Sequence, residues 1–237
     1  VQEVPATINV VSADQMEKLN FRTFTDVQQL VPGLSLEGGG SYLTTATVRG
    51  VQFNPVASGT NPTVEFYLND TPIASNFLFN STFDLGQFEL LRGPQGTLRG
   101  RASPSGSITL TTKAPNLEEA GFVVNGTAAD SKSYKADVAI NVPLIKDVLA
   151  LRVAGVTDYS NGQMIQSIKE GVDPYSPSPY RYTHAGRASL RFEPTDFLSV
   201  NLMYQALSNK NISYSQVESG NFVPGYVPAT NAGVSET

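Results

Sequence analysis

Hydrophobic positions change their period as the 237-residue chain proceeds. Residues 7–11 are a β-branched run and predict a strand. Ser12 stands three positions before Gln15, and Thr25 three before Gln28. Both spacings fit a capping box, in which two side chains satisfy orphan amides at a helix start. Met16 and Leu19 give the first predicted helix an apolar face. Val27, Leu30 and Val31 give one to the second, which Pro32-Gly33 should end. Residues 37–41 (EGGGS), 52–62 and 74–80 then read as loops, and residues 47–51 (TVRGV) as a short strand. Over residues 63–68, Val64, Phe66 and Leu68 share one face and Glu65 and Tyr67 the other. Asn69-Asp70 suits a tight turn. Residues 88–92 and 107–113 predict two further strands. In the second of these, Ile108 and Leu110 suit a buried face, while Thr109, Thr111 and Thr112 suit a wet one. This part predicts a compact α+β domain ending near Pro115.

After Pro115 five alternating segments follow, at residues 122–129, 134–142, 149–158, 183–192 and 197–207. In the second, Ala136, Val138, Ile140 and Val142 oppose Lys135, Asp137, Ala139 and Asn141. In the fourth, Ala188, Leu190 and Phe192 oppose Arg187, Ser189 and Arg191. In the fifth, Leu198, Val200, Leu202 and Tyr204 oppose Ser199, Asn201 and Gln205. The connections 143–148 and 193–196 are short, whereas 160–182 and the tail after Ser208 are long. Short turns at one end and long loops at the other fit an outer-membrane barrel. A soluble antiparallel sandwich shows the same alternation, and this section alone slightly favours that commoner architecture.

Composition narrows the picture. Charged residues make up only 16% of the chain, below the roughly 25% usual for soluble domains. A net charge of −5 argues against a dedicated nucleic-acid binder. The absence of cysteine excludes disulfides and thiolate metal sites. No apolar run reaches the length of a transmembrane helix, but transmembrane strands escape hydropathy averages.

The stretch ELLRGPQGTLRGRASPSGSITLTTKAP, residues 89–115, is rich in glycine and arginine. A phosphate-binding P-loop needs a lysine and a hydroxyl after its last glycine. Here Gly100 is followed by Arg101 and Ala102, and a β-branched run rather than a helix lies beyond. His184, the single histidine, falls in a predicted strand with no nucleophile or orienting partner in view. Neither catalysis nor a cofactor is expected.

The same stretch resembles the plug signature of TonB-dependent outer-membrane receptors. The match is Phe88-Glu89-Leu90-Leu91, then Arg92-Gly93-Pro94-Gln95-Gly96-Thr97-Leu98, Gly100-Arg101, the turn glycine Gly106, and the run from Ile108 to Pro115. PATINVVSADQ, TDVQQLVPGL, VRGV, VEFYLNDTPI and NVPLIKDVLALRVAG resemble further landmarks of that family, in its order. Arg99 stands where the family has an aromatic, Ser105 replaces a glycine, and Asn69-Asp70 replaces Asp-Gly.

The resemblance implies a plug domain over residues 1–116 with a small mixed sheet and short helices. Residues 117–237 would be about five antiparallel strands of an incomplete 22-stranded transmembrane barrel. The N-terminus falls at or just after the expected TonB box, so the chain reads as a fragment. By resemblance, the parent protein sits in the outer membrane of a Gram-negative bacterium, among its lipids. It takes up a scarce ligand (a ferric siderophore, otherwise a cobalamin or carbohydrate) with energy from TonB. A signalling receptor and a soluble β-rich binding module are the alternatives. Arg92, Arg99 and Arg101 are candidates for docking the plug to the barrel wall. Tyr42, Phe53, Asn54, Phe77 and Phe79 are candidates for the ligand-facing loops, with a place in the small core as the alternative for Phe77 and Phe79.

Overall fold

The structure is a computed structural model that describes residues 7–19, 24–38, 44–51, 62–94, 103–129, 132–161 and 180–212. Strand β1 (Thr7–Ser12) runs directly into helix α1 (Ala13–Lys18). The first capping box forms as expected. The Gln15 amide donates to Ser12 Oγ at 3.4 Å, and the Ser12 amide to Gln15 Oε1 at 3.1 Å. Met16 is buried, but Leu19 lies past the helix end and is 52% exposed.

The second predicted helix is a 3-10 helix, Phe24–Gln29. Thr25 lies inside it, one residue past its start. Gln28 Oε1 accepts from the Leu36 amide at 3.0 Å instead. Three residues per turn put Phe24 and Val27 on one buried face.

Strands β2 (Leu34–Gly38) and β3 (Thr44–Val48) pair antiparallel. Part of the expected loop at 37–41 is therefore strand, drawn in by the burial of Leu34 and Leu36. The strand expected over 47–51 ends at Val48. Arg49 and Gly50 take positive φ, 53° and 77°, and Val51 bridges back to Val48.

The main sheet adds β4 (Val64–Leu68), β5 (Thr71–Pro72), β6 (Leu85–Arg92) and β7 (Gly106–Thr112), in the order β1-β6-β7-β4-β5. β4 and β7 are parallel and the other pairs antiparallel, so the sheet is mixed. Asn69 and Asp70 have φ of 46° and 66°, the tight hairpin turn that their sequence suits. Residues 75–79, expected as loop, form helix α2 (Ser75–Phe79).

The core joins Val64, Phe66, Phe88, Leu90, Ile108 and Leu110 of the sheet to Phe24, Val27, Val31 and Leu78. The opposite face is also covered: Tyr67, Ser107 and Thr109 are buried. The wet face expected for β7 thus holds at Thr111 but not at Thr109 or Thr112.

The second sheet contains β8 (Gly121–Ala129), β9 (Ser133–Ile145), β10 (Leu149–Asn161), β11 (Tyr180–Thr195) and β12 (Leu198–Ile212). It is an antiparallel meander in chain order. Its strands outrun the predicted segments. β9 continues through Pro143, and β11 through Pro194 with a shift in register. The sheet is open, with β8 and β12 at its edges.

Candidate functional site at the contact of the two sheets

Period-two alternation gives the second sheet two chemically distinct faces. One carries three transverse rows. Lys135, Asp158, Thr183 and Asn209 form the first, Ala139, Ala154, Arg187 and Gln205 the second, and Asn141, Arg152, Ser189 and Met203 the third. These residues face the α+β part of the chain. Arg187 has only Ala154 and Gln205 as cross-strand neighbours, so the sheet offers it no directly opposite carboxylate.

Residues 80–84 supply the partners. Arg152 grips Asp84 with two bonds, Nε to Oδ2 at 2.8 Å and Nη2 to Oδ1 at 2.5 Å. Arg187 Nη1 donates to the carbonyls of Phe83 and Asp84 at 3.2 and 3.3 Å, and its Nε to Gln205 Oε1 at 2.7 Å. Gln205 in turn donates to Ser81 Oγ at 2.8 Å. Lys135 Nζ donates to the Thr82 carbonyl at 3.2 Å, and Asn209 Nδ2 to Asn80 Oδ1 at 3.1 Å. Every residue of this five-residue segment is therefore held by a strand of the second sheet.

Packing reinforces the polar contacts. The Phe83 ring is buried against Ala139, Ala154 and Ala185, small residues that leave room for it. The Arg187 guanidinium carbon lies 4.4 Å from the centre of that ring, within reach of a cation–π interaction. Arg187 is 3% exposed, and its Nη2 has no hydrogen-bond partner among the described residues.

Asp84 itself has φ of 50°, a left-handed conformation that aspartate tolerates better than most residues. Its carbonyl also accepts from the Lys113 amide at 3.1 Å. The residue thus links the end of β7 to β10 and β11.

The other face of the second sheet is apolar and exposed. It presents Phe122, Val124, Val138, Ile140, Leu202 and Tyr204, with Phe122 78% exposed. At one end Tyr134 stacks on Tyr159 at 5.5 Å, and Tyr159 meets Tyr182 edge-on at 6.1 Å. His184 extends this group, 4.0 Å from Tyr182. The lone histidine thus belongs to an exposed aromatic cluster.

From the Leu149–Phe192 pair to the Tyr159–Tyr182 pair is ten residues of β10. At ~3.3 Å per residue and a tilt of ~40°, they rise roughly 25 Å, the height of an outer-membrane apolar band below its aromatic girdle. No helix among the described residues is long and apolar enough to cross a membrane. The strands are what could cross. Lysine at Val138, near the middle of this span, is expected to cost about 2–4 kcal/mol. Reduced folding into lipid vesicles, with a smaller loss for lysine at Tyr134, checks this.

The expected site residues fall in three groups. Arg92 donates through Nη2 to the Pro32 carbonyl, so its described bond lies within the α+β part. Phe77 and Phe79 pack against the core of that part, Phe79 lying 4.5 Å from Phe24 and 6.0 Å from Phe66. Helix α2 turns both rings toward that core, the second of the two places that the sequence left open for them. Of the signature glycines, Gly93 donates its amide to the Ser105 carbonyl at 3.1 Å, and Gly106 opens β7. Tyr42, Phe53, Asn54, Gln95, Gly96, Thr97, Leu98, Arg99, Gly100 and Arg101 lie outside the described residues.

The sequence reading missed Asp84 and its two arginines. A signal was present: Arg152 and Arg187 both fall on polar faces of alternating strands with no acidic residue at their paired positions.

Comparison with known proteins agrees with this architecture. Residues 1–107 match the TonB-dependent Receptor Plug Domain family. The pesticin receptor of Yersinia pestis is 29% identical over 157 residues, covering 66% of this chain and 23% of that protein. The ferrichrome outer membrane transporter/phage receptor of Escherichia coli is 27% identical over 169 residues, covering 69% and 22%. The crystal structure of the ferric yersiniabactin uptake receptor FyuA from Yersinia pestis superposes with a TM-score of 0.68 at 22% identity, over 90% of this chain and 42% of that one. The chain spans about a quarter of the length of the curated relatives it matches. A matched plug sequence, its mixed sheet and an antiparallel wall with an apolar outer face together identify residues 1–107 as a TonB-dependent receptor plug domain and make the chain similar to the outer-membrane receptors of Gram-negative bacteria.

Proposed function

We propose that this chain is the plug and first wall strands of a receptor that imports a ferric siderophore across the outer membrane, driven by TonB. The observation that carries the reading is the two-faced wall. Its polar face holds the plug through Arg152, Arg187 and Gln205, and its other face is apolar and exposed. That is the arrangement of a plug seated in a polar lumen. The names of the relatives, among them a ferrioxamine B receptor and the ferrichrome transporter, support iron as the cargo. Within this reading the plug covers residues 1–116 and the wall begins at 117. Further strands complete a 22-stranded barrel. Arg92, Arg99 and Arg101 supply further docking to the wall, and Tyr42, Phe53 and Asn54 meet the ligand.

The test is uptake of radio-iron in siderophore-deficient cells expressing the receptor that contains this chain. Ferric yersiniabactin, ferrichrome and ferrioxamine B would be supplied in turn. Uptake of at least one, abolished by deleting TonB, is the expected result. Binding of none, in cells where the receptor is folded in the outer membrane, overturns the siderophore reading.

A further inference from the structure

We propose that the membrane face of the wall carries a specific lipid site. A groove across β9–β12, capped by His184 and Lys210, seats the phosphate and one acyl chain of an acylated sugar phosphate from the outer leaflet. The site lies on the face turned away from the plug and does not depend on which ligand is imported.

The outward positions of the five strands are alternate residues of 122–128, 134–142, 151–159, 182–190 and 202–210. Among these described residues, tyrosines aside, only Lys210 and His184 can bear a charge. An ionisable group on a surface that meets hydrocarbon marks a functional position, because it is costly there without a partner. The two are neighbours. Lys210 pairs with Tyr182 across β11 and β12. His184 stands two residues along from Tyr182, and their rings lie 4.0 Å apart. Thr157 and Ser208 flank His184 in register on β10 and β12. An imidazole thus sits between two hydroxyls, with an ammonium group one row above.

Thr157, His184 and Ser208 form the upper edge of a groove of about 650 Å³. Gly155, Gly186 and Ala206, one row across β10–β12, form its floor. The backbone does not demand glycine at either position. Neither has a positive φ, and an added Cβ would meet nothing closer than 3.7 Å at Gly155 or 4.0 Å at Gly186. A larger residue would suit a strand better and would fill the groove. Glycine in a strand interior without a backbone reason marks a place that something else approaches closely. The next row down, with Ile140, Val153 and Tyr204 exposed, stands proud of the floor and closes the groove below.

Height in the membrane identifies the occupant. Tyr159 and Tyr182 lie at the end where the long connection 162–179 leaves, which is the outer side of such a wall. At ~3.3 Å per residue and a tilt of ~40°, the His184 row is roughly 5 Å below Tyr182 and the glycine row roughly 10 Å. From the girdle inward the order is ammonium, then imidazole and hydroxyls, then an open apolar groove. An outer-leaflet lipid presents its groups in the matching order: phosphate, the carbonyls of its ester and amide links, then chain. Lys210 complements the phosphate, as basic groups at membrane surfaces do, and His184, Thr157 and Ser208 offer donors to the carbonyls. The groove is continuous with the apolar face that meets the bilayer. A second copy of this face would bring no carboxylate to Lys210, because no described outward position holds one.

The test is native mass spectrometry of the intact receptor that contains this chain, titrated in detergent with diphosphoryl lipid A or with the same lipid after phosphatase treatment. Gly186→Leu fills the groove, Lys210→Gln removes the charge, and Val142→Leu changes the same face outside the groove. Gly186→Leu is expected to remove one tightly bound lipid A per receptor, and Val142→Leu to remove none. Lys210→Gln is expected to weaken that same lipid at least fivefold and to abolish its preference over the dephosphorylated form, while Lys210→Arg restores both. Lys210 lies at the exposed rim, so its variants give a reading even where Gly186→Leu fails to insert. An unchanged number of bound lipids in folded Gly186→Leu overturns the proposal, as does a phosphate preference untouched by Lys210→Gln. A receptor dimer that Gly186→Leu dissociates overturns it too, and makes the groove an interface between copies.

Discussion

Alanine at Gly106 is expected to prevent β6 and β7 from meeting as they do. Gly106 has φ of +143°, and a Cβ there would lie 2.2 Å from the Leu91 carbonyl oxygen. That atom is backbone in the paired strand, so no rotamer change relieves the contact. An L-residue forced into such a conformation costs about 1–3 kcal/mol before any steric term. The clash adds to this, because β6 or β7 must shift. Both strands are central: Leu90 and Ile108 are fully buried, and β7 also carries the parallel pairing to β4. The variant is expected to reach the membrane with its plug sheet open to amide exchange and to protease. Gly33 provides the control. Its φ is +76° but nothing lies within 4 Å of its Cβ position, so alanine there should cost only about 1–2 kcal/mol. Equal protection of β6 and β7 in the Gly106→Ala and Gly33→Ala variants would show that the clash is relieved by a movement the fold tolerates.

Much of this architecture was legible because local rules act on adjacent residues. The Ser12–Gln15 box, the Asn69-Asp70 turn and the alternation of β9, β11 and β12 depend on neighbours in sequence, and each formed. The signature glycines read as backbone punctuation, and the positive φ of Gly93 and Gly106 agrees with that.

The misreadings come from tertiary demand. Thr25 and Gln28 have capping-box spacing, yet Leu36 enters the core and its amide takes the Gln28 oxygen. Residues 75–79 lack a long apolar period, yet one turn of helix suffices to bury Leu78 and to set Phe79 against Phe24 and Phe66. Thr109 has the alternation of a wet face, but the β7 strand is covered on both sides.

The docking site was hidden for a related reason. The basic stretch 92–101 puts the conspicuous positive charge on the plug. At the described contact the signs are reversed: Asp84 belongs to the plug, and Arg152 and Arg187 to the wall. The separations are 68 and 103 residues, and no local pattern links positions so far apart. Only the unpaired arginines on a polar strand face pointed to a partner elsewhere.

Removing the charge of Asp84 while keeping its shape is the sharpest test of that contact. The Asp84→Asn variant retains a side chain that tolerates φ of 50°, so backbone strain is not confounded with charge. The Arg152 and Asp84 side chains are only 12% and 7% exposed. Breaking a buried pair by neutralising one partner typically costs about 3–5 kcal/mol, because the other charge remains without compensation. Arg187, buried and bonded to the Asp84 backbone carbonyl, also loses a negative charge close by. The expected result is a lower unfolding temperature for the detergent-solubilised receptor and faster amide exchange at 80–84, while the wall strands stay protected. Adding Arg152→Met to Asp84→Asn removes both charges of the pair and keeps a residue that tolerates φ of 50°. It should recover much of the loss, because no buried charge of the pair is then left uncompensated. Added salt should matter little, because a buried pair is weakly screened. Loss of stability in Asp84→Asn that is erased by moderate salt, or that Asp84→Asn with Arg152→Met fails to relieve, would assign the plug's attachment to the Phe83 socket and the backbone carbonyls rather than to charge.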